Sequence, residues 1–169
     1  FEDSEATQRF AIGGAIFHAV NEIFFESSLL SIHSSRFTNS IATSNGGAIF
    51  STARLIDISE STFENSQSTT EQGGALFLRP SVNVSDSRLS ISRSTFRQST
   101  ATGPGGAIFY SGSQLEISRS IFEDSESLSD IGGAIAHSIS VSPTIFESSL
   151  LSIHSSRFTN STAGGLGGG

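Results

Sequence analysis

Two carboxylates are the strongest candidates for catalysis in this sequence. Asp57 and Glu116 occupy the same position of two similar blocks, LIDIS and QLEIS. Carbohydrate-cleaving enzymes use two carboxyl groups that flank the bond to be broken. Here Ser90 stands at this position in the intervening block, so stacked blocks would hold the two acids about 10 Å apart. Because the chain also lacks lysine, we interpret both acids as part of a solvated face and predict no catalytic residues.

The four histidines are the candidates for a metal site. His33 and His154 share one position of the repeat described below, and His18 and His137 share another, but the members of each pair are four repeats apart. In a stack of strands this separation is about 19 Å, which is too long for two ligands of one ion. The Gly-Gly blocks lack the lysine and the GxGxxG spacing of a phosphate loop. We therefore predict neither a metal site nor a cofactor.

Two sequons are candidates for modification. Asn83-Val84-Ser85 and Asn160-Ser161-Thr162 both fit the acceptor pattern for N-glycosylation. Asn83 lies in a long connection between blocks, whereas Asn160 lies within a repeated block.

These residues are set in a repeat that organises the whole chain. A Gly-Gly-Ala-Ile-Phe block occurs five times with small changes, at Gly13–Phe17, Gly46–Phe50, Gly73–Phe77, Gly105–Phe109 and Gly132–Ala136. The first glycines are 33, 27, 32 and 27 residues apart, so repeat lengths alternate. Self-similarity at such a period is the sequence signature of a solenoid, in which each repeat packs on its neighbours.

A second block follows each Gly-Gly-Ala block and reads LLSIHSSRF, LIDISESTF, RLSISRSTF, QLEISRSIF and LLSIHSSRF. Leucine or isoleucine alternates with polar residues, which predicts a strand with one buried face. A serine always stands two residues before the phenylalanine and suits a corner. The sequence thus predicts an all-β fold, a right-handed parallel β-helix (β-solenoid) of about five coils of 27–33 residues. Residues 1–163 form one array and residues 164–169 a Gly-rich tail.

Two polar columns follow from the same alignment. Two residues after each phenylalanine stands an amide or an acid, and strict alternation predicts that these side chains point inward and form an internal ladder; they are Asn39, Asn65, Gln98, Asp124 and Asn160. The residues before them should point outward. There Glu64, Arg97 and Glu123 on successive coils predict a charge ladder.

Composition excludes several classes of function. The formal charge is −7, with sixteen acidic residues against nine basic ones, so the basic face needed for nucleic acid is missing. Without cysteine, neither disulfides nor thiolate metal sites hold the fold. No apolar run reaches the roughly 20 residues of a membrane helix, and we predict no membrane insertion within this segment.

The chain also repeats itself over a longer distance. Ser27–Ser40 recurs letter for letter at Ser148–Ser161, and Phe1–Ser4 recurs at Phe122–Ser125, both with an offset of 121 residues. We interpret the chain as a segment of a longer array that opens in the middle of a coil.

The alternation of GGA(I/L) blocks with blocks of phenylalanine and asparagine resembles the chlamydial polymorphic outer-membrane proteins and related parallel β-helix repeats. The resemblance covers essentially the whole chain, although asparagine follows phenylalanine here by two residues, as in Phe37-Thr38-Asn39, and by three in that family. It implies a secreted protein, extracellular or on the cell surface, that works in adhesion.

The apolar residues outside the predicted core are the candidate interface. We interpret the whole Gly-Gly-Ala-Ile-Phe block as a strand with glycines at a corner. In this strand we expect Ile16 and its equivalents to point inward, which leaves a stack of Phe17, Phe50, Phe77 and Phe109 outside. The long connections carry Phe24, Phe25, Ile145 and Phe146, which we expect to fold over the wall as a second apolar layer. Expected partners are other copies of the chain or further coils, by end-to-end or lateral stacking, and host-surface or glycan ligands.

Strong repetition without a reactive cluster predicts a non-catalytic structural or adhesive extracellular surface or filament protein, which binds or assembles through the flank loops of the solenoid and by end-to-end stacking. The alternative is a β-helix that binds or cleaves polysaccharides, because this fold also includes such enzymes.

Overall fold

The computed structural model describes residues 2, 4–6, 12–20, 27–80, 86–138 and 150–165. These residues form a parallel β-helix of about five coils, as the repeat predicts. We call the coils 1 to 5; they begin at the first glycine of each block, that is at Gly13, Gly46, Gly73, Gly105 and Gly132. Two short strand segments before coil 1 contribute part of a preceding turn.

Each coil contributes one strand to each of four parallel sheets. Sheet 1 contains β2 (Ile16–His18), β6 (Ile49–Ser51), β10 (Leu76–Leu78), β14 (Ile108–Ser111) and β18 (Ile135–Ser138). Sheet 2 contains β3 (Leu29–His33), β7 (Leu55–Ser59), β11 (Arg88–Ser92), β15 (Gln114–Ser118) and β19 (Leu150–His154). Sheet 3 contains β4 (Arg36–Thr38), β8 (Thr62–Glu64), β12 (Thr95–Arg97), β16 (Ile121–Glu123) and β20 (Arg157–Thr159). Sheet 4 contains β1 (Glu5–Ala6), β5 (Ile41–Ala42), β9 (Gln67–Ser68), β13 (Thr100–Ala101), β17 (Glu126–Ser127) and β21 (Thr162–Ala163).

The core follows from equivalent residues that stack in register. In sheet 2, Leu89 pairs with Ile56 on one side and with Leu115 on the other, and all three are buried. In sheet 3, Phe37, Phe63, Phe96 and Phe122 are fully buried, and their rings stack at centroid distances of 4.7–4.8 Å. Stacking therefore buries one aromatic side chain per coil in nearly identical surroundings.

Three corners in each coil have backbone in the left-handed region. The corner between sheets 2 and 3 places Ser34, Glu60, Arg93, Arg119 and Ser155 at φ values of 47–52°. Between sheets 3 and 4, Asn39, Asn65, Gln98, Asp124 and Asn160 have φ values of 51–52°. The third corner uses the first glycine of each block, with φ from 68° to 75°. Asparagine, aspartate and glycine adopt this conformation at least cost, which explains part of the repeat pattern.

The second glycine of each block is required by close packing between coils. A Cβ atom on Gly74 would lie 2.0 Å from the carbonyl oxygen of Gly106 and 2.6 Å from that of Thr100. The first contact is with the next coil's block and the second with sheet 4. A side chain at this position therefore has no room.

The serine that recurs at the corner between sheets 2 and 3 acts as predicted. Ser61 donates a hydrogen bond from Oγ to the Ser59 carbonyl at 2.8 Å and accepts one from the Ser35 N–H at 3.1 Å. Ser94 and Ser120 repeat both contacts in the following coils. Each hydroxyl thus links its own corner to the neighbouring coil.

Two expectations about side-chain direction need correction. The amide and acid column does not point inward: Asn39, Asn65, Gln98, Asp124 and Asn160 are all exposed, because their left-handed φ interrupts the alternation of the strand. The Gly-Gly-Ala segment is a corner and not part of the strand. Ala48 and Ile49 are consecutive and both fully buried, so alternation begins only at the isoleucine.

Candidate functional site

The outer phenylalanine stack lies where the sequence predicts it. Phe17, Phe50, Phe77 and Phe109 stack on the outside of sheet 1 with ring centroids 5.2 Å apart. Ile49, Leu76 and Ile108, one residue before, are fully buried in the core. Exposure varies along the stack, from 54% at Phe17 to 5% at Phe77. Ala136 replaces phenylalanine in coil 5, so the aromatic stripe ends at coil 4.

A groove crosses the outer face of sheet 2. It has a volume of about 310 Å³ and is lined by Leu29, Leu55, Ile56, Asp57, Arg88 and Ser90. Two leucines provide apolar surface, and Asp57 and Arg88 provide opposite charges. This combination can hold a ligand that has both apolar faces and polar groups, such as a sugar chain.

The two candidate carboxylates lie on strands that are not neighbours. Ser90 pairs with Asp57 on one side and with Glu116 on the other, so a whole strand separates them. Glu116 is engaged by Arg88, whose Nη2 lies 2.5 Å from Oε2. The charge ladder in sheet 3 is present between Arg97 and Glu123, with a nitrogen–oxygen distance of 2.7 Å. Glu64 lies instead 3.8 Å from Arg36.

The corner after sheet 2 carries an exposed charge cluster. The guanidinium of Arg93 lies 2.7 Å from Oε1 of Glu60, and His33 approaches Oε2 at 3.7 Å. Hydrogen bonding and charge attraction from Arg93 hold the pKa of Glu60 below its usual value. The cluster joins coils 1, 2 and 3 on the solvent side.

The histidines lie in the paired columns that the sequence predicts, but their environments differ. His33 and His154 are exposed at the ends of β3 and β19. His18 is half-buried, and its Nδ1 lies 3.1 Å from Ser51 Oγ. His137 stacks on the ring of Tyr110 at 5.4 Å. Within the described residues, no three histidine, cysteine or acidic side chains come together to hold a metal ion.

Tyr110 is a buried polar residue that the sequence analysis missed. It follows Ile108 by two residues on the inward side of sheet 1, where Leu78 and Ser51 occupy the same column. Its hydroxyl lies 3.4 Å from Ser87 Oγ, and burial raises its pKa to about 12. The inward column of Ile108 and its equivalents, continued two residues further along the strand, predicts the burial of Tyr110.

The amide and acid column forms an external ladder. Asn65 Nδ2 donates to Asn39 Oδ1 at 3.0 Å, and Asn160 Nδ2 donates to Asp124 Oδ1 at 3.1 Å. The sequon amide of Asn160 is therefore used in the ladder. The other sequon residue, Asn83, and the loop residues Phe24, Phe25, Ile145 and Phe146 lie outside the described residues.

A second serine column lies just inside this ladder. Ser40, Ser66, Ser99 and Ser125 are fully buried, and within the described structure their hydroxyls, like that of Ser161, have no hydrogen-bond partner. The sequence shows the column but not its burial, since that depends on the left-handed corner before it.

The last coil exposes residues that are core elsewhere. Leu151, Ile153 and Phe158 are 53%, 41% and 36% exposed, although their equivalents in coil 4, Leu115, Ile117 and Phe122, are fully buried. Leu128 and Ile131, in the corner before coil 5, are also about half exposed. The open side of coil 5 therefore presents apolar side chains whose equivalents are covered in coil 4.

The chain matches no protein-family model, and no curated protein or solved structure is significantly similar to it. No helix in the described part of the chain has the length and hydropathy needed to cross a membrane.

Proposed function

We propose that the chain is a non-catalytic structural or adhesive repeat of an extracellular surface or filament protein. It binds through its walls and assembles by stacking of coils. The observation that carries this proposal is the distribution of apolar surface. Apolar side chains are exposed at two places, at Phe17 in the outer stack and at Leu151, Ile153 and Phe158 on the open face, and exposed apolar surface of this kind marks sites of interaction.

The charges also fit a structural role. Arg93, Arg97 and Arg88 each lie within ion-pair distance of a glutamate on another coil. Pairs between strands favour one register of the coils, and solvent weakens them where they are exposed. The polar side chains of the outer walls thus hold coils together, and Asp57 and Glu116 remain apart.

The test is a panel of acidic and neutral polysaccharides, assayed for binding and for release of reducing ends or unsaturated product. We expect no turnover. Adhesion to glycan-coated or cell surfaces should fall when Phe17 and Phe50 are both replaced by serine. A matched variant, Leu128→Ser with Ile131→Ser, removes exposed apolar groups elsewhere and should adhere normally. Robust cleavage would contradict the proposal.

The groove on sheet 2 favours one alternative, a β-helix that binds or cleaves polysaccharides. Its leucines offer apolar contact surface, and Asp57 and Arg88 offer hydrogen-bonding groups. Under this alternative Asp57→Asn and Arg88→Gln abolish glycan binding, whereas the serine variants of Phe17 and Phe50 retain it.

A further inference from the structure

In sheets 2 and 3, the open face of coil 5 has the same residues as a face of coil 1 whose neighbour is known. Ser148–Ser161 has the same sequence as Ser27–Ser40. Strands β3 and β4 of coil 1 pair in parallel with β7 and β8 of coil 2. The side of β19 and β20 that faces away from coil 4 is the equivalent side. The contacts of coil 1 therefore show which groups complement coil 5.

Coil 2 complements this face with acidic and polar side chains. His33 Nδ1 lies 2.9 Å from Ser59 Oγ, and its Nε2 lies 3.7 Å from Glu60 Oε2. Arg36 lies 3.8 Å from Glu64. In coil 5 the equivalent residues are His154 and Arg157.

Burial shows how completely such a neighbour covers the face. Ile32 is 6% exposed and Phe37 is fully buried, whereas the identical positions Ile153 and Phe158 are 41% and 36% exposed. Residues 150–165 include one arginine, one histidine and no acid, although the whole chain has a net charge of −7. A complementary neighbour must therefore supply both apolar residues and negative charge.

We propose that the open face of coil 5 accepts a further coil of this repeat that carries glutamates at the positions of Glu60 and Glu64. Its strands add in parallel to β19 and β20, and its leucine, isoleucine and phenylalanine cover Leu151, Ile153 and Phe158. This inference rests on the stacking of coils in the proposed function, and it specifies the chemistry of the coil that stacks. Coil 1 of a second copy fits less well, because it would place His33 and Arg36 beside His154 and Arg157.

The test extends the full chain after Gly169 with a copy of residues 43–68, which contain the coil 2 strands. A matched control carries the changes equivalent to Glu60→Arg and Glu64→Arg in the added copy only. A third chain carries a Gly-Ser segment of equal length. Hydrogen exchange of the amides of residues 150–159 is measured in all three chains.

We expect the copy of residues 43–68 to slow exchange at these amides about tenfold or more relative to the Gly-Ser chain. The arginine control should protect them less, by roughly two- to fivefold, and this difference should shrink at high salt. Equal or greater protection by the control would overturn the acidic specificity and leave stacking intact. No protection by either copy would overturn the inference together with end-on stacking.

A second copy of the chain is tested in the same measurement. Protection of residues 150–159 in the unextended chain that increases with protein concentration would show that a second copy occupies the face. This result would also overturn the assignment to an acidic coil.

Discussion

Two serines of coil 3 occupy neighbouring corners and are both buried, but their hydroxyls differ. Ser94 donates to the Ser92 carbonyl and accepts from the Ser61 N–H, whereas the hydroxyl of Ser99 has no hydrogen-bond partner among the described residues. An unsatisfied buried hydroxyl costs about 1–3 kcal/mol. We expect Ser99→Ala to leave the free energy of unfolding unchanged or to raise it by about 1 kcal/mol. Ser94→Ala should lower it by about 1–2 kcal/mol. Urea unfolding checks both values, and the opposite order would contradict the assignment.

Tyr110 makes the free energy of unfolding depend on pH in the alkaline range. Its pKa is raised to about 12 in the folded chain from an ordinary value of 10.0. Between these values the unfolded chain releases the phenolic proton and the folded chain keeps it, so stability falls as pH rises. Across this window the loss is roughly 2–3 kcal/mol.

Tyr110→Phe should remove this part of the pH dependence, which is measured by urea unfolding on either side of pH 10. The chain has one tyrosine and neither tryptophan nor cysteine, so ultraviolet absorbance also reports the ionisation directly. Ionisation of the folded chain near pH 10 would show that the ring is not buried as described.

Successive glycine blocks lie so close together that a side chain at Gly74 should destabilise the chain. Gly74→Ala places a Cβ 2.0 Å from the Gly106 carbonyl and should lower the free energy of unfolding by about 3 kcal/mol, since backbone on both sides must move. Gly103→Ala is the control, because its nearest contact would be 3.1 Å. The control should cost about 1 kcal/mol or less. Similar effects of both changes, in urea unfolding, would contradict the packing of the glycine blocks.

At the scale of the elements, the inner and outer phenylalanine stacks should contribute different amounts to the free energy of unfolding. Phe96 is fully buried between Phe63 and Phe122, and Phe96→Ala should cost about 3–5 kcal/mol. Phe50 stacks on the outer wall and is only half-buried. We expect Phe50→Ala to cost about 1 kcal/mol. Thermal and urea unfolding of the two variants measure the difference. Equal losses in the free energy of unfolding would mean that the outer stack is as deeply buried as the inner one.

The elements that could be predicted from the sequence are those in which period two holds without interruption. Leu89 and Ile91 in β11 and Phe96 in β12 are buried as their alternation with polar residues predicts. The pattern fails at Asn65, because its left-handed φ leaves its own side chain outside and turns that of Ser66 inward. The two-residue strands of sheet 4 carry too short a pattern to be recognised from periodicity.

For the candidate surfaces, too, the sequence predicts the direction of a side chain but not its surroundings. Alternation after Ile49 predicts the outward direction of Phe50, but not how exposure varies along the stack, which depends on what covers each ring. The groove at Asp57 and Arg88 depends on side chains from β3, β7 and β11 meeting on one wall. Only the register brings these three strands together.

At the scale of the whole molecule, stability comes from interfaces between successive coils. Most contacts join a coil to the next one, as in Leu89 with Ile56 and Leu115. In such arrays the free energy is close to a sum over neighbouring pairs. Coil 5, which has a described neighbour on one side only, should therefore open more readily than coil 3.

In-register parallel stacking of the coils is the central claim, and nuclear Overhauser contacts between backbone and side-chain protons test it most directly. We expect Ile91 to contact both Ile58 and Ile117, which are 33 and 26 residues away in the sequence. Ser90 should likewise contact both Asp57 and Glu116. Contacts that instead link neighbouring strands in antiparallel order, or that shift this register by one residue, would contradict the β-helix described here.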